Sequence, residues 1–323
     1  MGTRAQGTSR ALPNIPSMRH RRTRRGDLVA GTDLIEERFL YADDEIPDLL
    51  RMWTVLIETG TAYSSIVEDD RSGTPLAFGI SAFIDDAAAQ TFQAYAQPGL
   101  GRLIFERWRA GDSILLAESD IAAANAQGGL NTVVLATGWK RIDPATRQDA
   151  AMKLIEAFLD IHLGINMRSF THELFGEPPF SPGALGLSLS PPHTVRDRSA
   201  QLLMLGSGEA IDNFVVAQMT RGVAPPRFFL SNRARAVLRF AIDGLLDAEI
   251  AHEVGISSNG LKKRWQQIFE QIRATDPDFF GNESSVGSDD GKRGAERRHS
   301  VLAYVRSHRE ELHPYATAPV GVS

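Results

Sequence analysis

No cysteine occurs among the 323 residues, which excludes disulfides, thiol nucleophiles and thiolate metal sites. No apolar run reaches 18 residues, so no membrane-spanning helix is expected. A secretory apolar segment is also missing near the start, and the expected location is the cytoplasm. Charge of one sign does not dominate either: the formal net charge is -5 and the sequence pI about 5.9. What remains is ordinary globular material, with 42% hydrophobic and 23% charged residues. The length suits roughly two domains of about 100–200 residues each.

The charge is unevenly placed. Residues 1–27 hold seven arginines (Arg4, Arg10, Arg19, Arg21, Arg22, Arg24 and Arg25) and one acid, Asp27. Removing them from totals of 35 and 40 leaves 28 cationic against 39 acidic side chains. A Gly/Ser/Pro/Arg leader of this kind cannot bury apolar surface, and disorder is expected through residue 27.

From about Leu28 the pattern becomes globular. Leu49, Leu50, Trp53, Leu56 and Ile57 recur at helical spacing. Two β-rich runs follow, "AYSSIVED" and "PLAFGISAFI", separated by the turn set "DRSGT". "LNTVVLATGW" reads as a buried strand, and "PATRQDAAMKLIEAFLDIHLG" as an amphipathic helix stopped at Gly164. The next stretch, 165–186, is rich in prolines and glycines and breaks the pattern. The tract 281–294 reads as a linker, followed by one more helix with Val301, Leu302, Val305 and Leu312 as its buried edge.

Three helices can be written between Leu230 and Ile272. Ser231 and Ser257 are good N-caps, and Gly255 supplies the positive φ of a tight turn. On the third helix Leu261, Trp265, Ile268 and Ile272 form one apolar sector. The opposite sector carries Asn259, Lys262, Lys263, Arg264 and Gln266, side chains that suit phosphates and base edges. The segment "LSNRARAVLRFAIDGLLDAEIAHEVGISSNGLKKRWQQIFEQI" resembles the C-terminal helix-turn-helix of LuxR-type transcriptional regulators. That resemblance implies double-stranded DNA as partner and a homodimer. It implies DNA contacts from Ser257, Ser258, Asn259, Lys262, Lys263, Arg264 and Gln266, with Arg233 from the first helix. Ala248 stands where such proteins carry a lysine, Gly260 weakens the reading helix, and 227–273 has eight cations against five acids. Lys292, Arg293, Arg297 and Arg298 are candidates for further phosphate contacts.

For the region 28–220 three readings stand. Asp43, Asp44, Asp85 and Asp86 suggest a phosphoacceptor receiver, although the helix-then-hairpin order opposes it. An autoinducer-binding domain would be the usual companion of such helices, with Trp53, Trp108 and Trp139 available to line a cavity. The helix, strand, turn, strand order resembles the opening of a GNAT-type acetyltransferase, without the glycine-rich loop that wraps a pyrophosphate. Gly128 and Gly129 precede a strand rather than a helix, and His162 and His172 fit no metal spacing.

The sequence thus leads to an α/β domain over 28–220 (sensor or GNAT-like), a LuxR-like all-α helix-turn-helix over 221–275 and a linker with C-terminal helix over 276–323. No catalytic residue, metal or cofactor is assigned, and the expected ligand of the first domain is a small molecule or acyl-CoA. The expected function is DNA-binding transcriptional regulation, with an acetyltransferase-like enzyme or acyl-CoA-binding protein as the alternative.

Overall fold

The computed structural model describes residues 17–94, 99–141, 143–205, 217, 220–281 and 290–316. The chain begins with β1 (Met18–Arg22), α1 (Asp27–Leu34), a 3-10 turn (Glu36–Leu40) and α2 (Ile46–Glu58). The hairpin β2 (Ala62–Asp69) and β3 (Pro75–Ile84) follows, its turn tied by Asp69, which accepts from Arg71 N and Ser72 N. Three helices, α3 (Asp86–Ala94), α4 (Leu100–Arg109) and α5 (Glu118–Gln127), precede β4 (Leu130–Trp139). Then come α6 (Pro144–His162), β5 (Met167–Phe175), the short β6 (Ser188–Leu189) and β7 (His193–Val195), and β8 (Arg198–Leu205).

The sheet order is β1-β2-β3-β4-β5-β8-β6, with β7 also on β8. Every pairing is antiparallel except β4 with β5. A parallel pair needs a crossover, and the amphipathic α6 supplies it. All ten residues of β4 are buried, which explains its unbroken apolar run. The alternation of element types makes this a mixed α/β sheet domain followed by helices.

Three sequence expectations change here. The leader is not disordered through residue 27: Met18–Arg22 pairs with β2 and Asp27 starts α1. Its arginines find carboxylates, Arg19 and Arg21 on Glu68 and Arg21 on Asp27, so the basic run joins the sheet edge. Residues 1–16 lie outside the described residues. Second, the stretch after Gly164 contains a full strand, β5; its polar residues Ser169, Thr171, His172 and Glu173 are buried, with Ser169, His172 and Glu173 hydrogen-bonded through their side chains, which hid the strand pattern.

The third change concerns the C-terminal helices α7 (Asn232–Ile242), α8 (Asp247–Val254), α9 (Ser258–Thr275) and α10 (Asp290–Ser307). Ser231 and Ser257 cap α7 and α9, and Gly255 takes φ +71° between α8 and α9. Their core nevertheless runs past residue 275, where the helix-turn-helix was expected to end. Phe228 and Leu230 on one side, and Val301, Val305 and Leu312 on the other, complete the same core as Val237, Leu261 and Ile268. The helices are also fastened to the sheet domain. Arg239 lies over the Tyr63 ring at 5.2 Å, Tyr63 Oη lies 3.0 Å from His313 Nδ1, and Arg235 pairs with Glu118. A β-carbon on Gly164 would come within 2.3 Å of Glu310 N, so chain and sheet touch backbone to backbone there.

Candidate functional site

Strands β4 and β5 pair only through Val133 and Thr171, and then part. Parted strands leave backbone donors without partners, and the segment Leu34–Tyr41 fills part of the gap. Ile35 bridges to Gly138, where a β-carbon would sit 1.9 Å from Leu34 O, so only glycine admits the segment. Thr137 N–H donates to both carboxyl oxygens of Glu37 at 3.3 Å. Burial raises the Glu37 carboxyl well above the usual range, which favours its neutral form. Phe39 then meets Phe175 edge to face at 5.2 Å, and Arg198 lies 3.9 Å over the Phe39 ring.

One side-chain bond still crosses the parting strands, between Thr137 Oγ1 and His172 Nε2 at 2.9 Å. Burial pushes His172 down to about 3, so it is a neutral imidazole. Its neighbour Glu173 accepts from Gly99 N at 3.0 Å and Leu100 N at 2.6 Å, and contacts His193 Nε2 at 3.0 Å. That carboxylate therefore anchors the start of α4.

Two spaces adjoin this gap. Between α6 and the sheet lies an apolar cavity of about 80 Å³, walled by Val134, Leu154, Phe158, Phe170 and Leu203, with Thr137 and His172 as polar members. At the open ends of β4 and β5 lies a basin of about 1310 Å³. Its cations are Arg38, Lys140, Arg141, Arg147 and Arg198, against the acids Asp33, Glu36 and Asp43. Trp139, the last residue of β4, lines both spaces. Arg147 stacks 5.0 Å from its ring centre and pairs with Glu36 at 3.1 Å. Burial outweighs that cation and holds the Glu36 carboxyl up at about 6.

The N-terminus of α6 opens on the basin but is already occupied. Asp143 accepts from Thr146 N at 3.1 Å, and Pro144 brings no N–H. The amide cradle that would hold a pyrophosphate is therefore replaced by a carboxylate. Gly129 (φ +96°) serves the tight turn into β4, where its β-carbon would meet Asn166 O at 3.0 Å.

The residues expected on DNA are placed as follows. Ser257 Oγ accepts from Gly260 N at 3.1 Å and caps α9. Ser258, Asn259, Lys262, Lys263 and Gln266 are exposed along α9, Arg264 is half-buried, and Arg233 lies on α7 beside a different cavity. Lys292 and Arg293 have side chains outside the described residues, and Arg298 is bound to Asp247 at 2.7 Å. Of the three tryptophans, Trp53 is core against Phe78, Trp108 stacks with Arg51, and Trp139 alone reaches the basin. Asp85 caps α3 through Ala88 N, and no metal-holding cluster of three occurs among the described residues. Sequence reading missed Glu36, Glu37, Arg147 and Glu173; the one signal was two adjacent acids after an apolar helix.

No family model and no curated protein matches the chain. Solved structures do match. An N-acyl amino acid synthase, FeeM, from uncultured soil microbes is 12% identical, with 60% of this chain and 93% of that one covered at a TM-score of 0.37. The C-terminal condensation domain of Ebony, in complex with beta-alanyl-dopamine, is 12% identical over 59% and 99%, at 0.36. Spermidine N-acetyltransferase from Vibrio cholerae is 12% identical over 60% and 96%, at 0.32. The three structures named are acyl-transfer proteins and none is a transcription regulator, so the expectation of a DNA-binding transcriptional regulator is corrected. The apolar face of α9 packs in a core that α10 and Leu312 complete, while its polar face is exposed. No helix among the described residues is long and apolar enough to cross a membrane.

Proposed function

We propose that the mixed sheet domain is GNAT-like and binds an acyl thioester, with a short acyl group in the apolar cavity and the anionic carrier in the basin. One observation carries this reading. Trp139 lines both spaces and so sets an apolar cavity beside a cationic basin, the two halves an amphipathic thioester calls for. Volume decides the acyl length: about 80 Å³ is near half of the roughly 150 Å³ apolar cavity that takes benzene. A group of about two to four carbons fits that space. Five cations against three carboxylates suit the phosphates of the carrier. With Asp143 on the α6 terminus, those contacts come from side chains, so binding is salt-sensitive.

Glu36 lines the basin with Trp139, and a carboxyl held near 6 is matched to proton transfer close to neutral pH. We assign it the proton of an incoming neutral amine, whose nitrogen attacks the thioester carbon; the C–S bond breaks, and the leaving thiolate takes a proton from solvent. His172, a far weaker base, positions Thr137 instead. Calorimetry on the full chain with acetyl-coenzyme A and decanoyl-coenzyme A tests the binding. Acetyl-coenzyme A is expected to bind, and decanoyl-coenzyme A to bind more weakly. Absence of heat with both at millimolar concentration overturns the reading; preference for the decanoyl thioester overturns the short acyl group. Thiol release with a panel of primary amines, lost in Glu36→Gln, tests the transfer.

A further inference from the structure

The sheet domain and the C-terminal helices enclose a third space, of about 320 Å³, between β1, α2, α7 and α8. Its described lining holds five guanidinium groups, Arg22, Arg24, Arg25, Arg233 and Arg239, and only two carboxylates, Glu58 and Glu253. Some of this charge is answered. Arg25 pairs with Glu58 at 2.7 Å, and Arg239 gives Nε and Nη2 to Leu312 O.

Arg22 is the exception. It is 9% exposed, its Nε has no hydrogen-bond partner, and its nearest carboxylate, Asp243, stands 3.6 Å away. Arg24 Nε is also buried without a partner, and its guanidinium reaches Glu249 only at 3.5 Å. A buried guanidinium N–H without an acceptor is costly, and arginine does not escape by losing its proton. With Asp243 and Glu249 just outside the lining, five guanidinium groups face four carboxylates, and the Nε atoms of Arg22 and Arg24 stay without an acceptor.

We propose that this cavity is a binding site for a compact phosphate monoester. Guanidinium forks match phosphate oxygens in pairs, which favours phosphate over a single point acceptor. Leu28, Ile57, Phe240 and Val254 form an apolar wall that accommodates a small organic body beside the phosphate. The volume lies at the lower end of ligand pockets, about 300 Å³, so one phosphate and a small substituent fill it. Because β1 and α2 supply one side and α7 and α8 the other, the occupant ties the two parts of the chain together. The inference does not depend on the acyl-thioester reading, which concerns other residues.

Thermal shift and calorimetry on the full chain test it, with phenyl phosphate, inorganic phosphate and benzoate as probes at matched ionic strength. Phenyl phosphate is expected to raise Tm saturably and to bind more tightly than inorganic phosphate. The exposed Arg233→Ala variant, which leaves the core intact, is expected to weaken it roughly tenfold, as loss of one charge-assisted bond. Arg22→Lys, which retains charge but not the fork, is expected to do the same. Arg147→Ala, in the separate basin, is expected to leave this binding unchanged. No saturable shift overturns the proposal, as does binding lost with Arg147→Ala and kept with Arg233→Ala. Benzoate binding as tightly as phenyl phosphate overturns the phosphate assignment.

Discussion

Thr137 Oγ1 and His172 Nε2 lie 2.9 Å apart across β4 and β5, beyond the last backbone pair that joins the two strands. The bond pins the parted strands beside the apolar cavity that both residues line. Replacing Thr137 with valine keeps the volume and leaves a buried ring nitrogen unpaired. We expect a loss of about 1–3 kcal/mol in urea denaturation. A change within error would show that the strands are held apart by packing alone.

Glu37 gives a second test, through its charge. Its carboxyl is raised by burial, and its partner is a backbone N–H that has no strand beside it. Glu37→Gln retains an acceptor oxygen without charge, so stability at pH 7 is expected to change by less than about 1 kcal/mol or to rise. Glu37→Ala leaves Thr137 N–H unsatisfied and is expected to cost about 1–3 kcal/mol. The contrast is read from two urea curves. Equal losses in both variants would contradict the neutral-carboxyl account.

Stability against pH follows from opposed groups. His162 is held down to about 4, His172 to about 3, and His313 well below its ordinary value, all by burial. Each favours the unfolded state as pH falls below about 6.5, by about 1.4 kcal/mol per pH unit until its folded value is reached. Glu311, raised to about 7, Glu36, raised to about 6, and Glu37 act in the other sense. Their raised values stabilise the fold as pH falls, down to the unfolded carboxyl value near 4.3. The raised carboxyls, Asp243 among them, oppose the histidines, so stability is expected to change little between about pH 6.5 and 4.5 and to fall below it. Denaturation midpoints across pH 3.5–8 (about half-unit steps) check this; a steady decline from pH 6.5 would contradict it.

How much of this was legible depends on where burial came from. α6 was readable from its helical period, β4 from its unbroken apolar run, and β2 and β3 as β-rich runs on either side of a turn set. β5 was not, because Thr171, His172 and Glu173 are buried through partners distant in sequence, Thr137 for the histidine and the α4 terminus for the acid. The basin was hidden for the same reason. Trp139 and Arg147 stand close together at a strand end and a helix start, but Glu36 comes from a turn about a hundred residues earlier, and no local spacing joins it to them. The C-terminal helices were legible as helices, yet their attachment to Tyr63 and Glu118 lies outside any pattern internal to the segment.

Arg147 controls the last prediction, because it bears on the proposed base. Burial raises Glu36, and the Arg147 charge is the first of the effects that hold it back to about 6. Arg147→Ala removes that restraint, so the carboxyl moves up and is protonated at neutral pH. Amine-dependent thiol release should then fall at pH 7 and recover at higher pH, with the acidic limb of the profile displaced upward. Arg147→Lys keeps the charge and is expected to keep the limb near its original place, although the stacking on Trp139 is weakened. Direct titration of Glu36 by carbon-13 NMR separates this from a simple loss of carrier binding, which would lower the rate equally at every pH. An unmoved titration in Arg147→Ala would remove Glu36 from the role assigned to it.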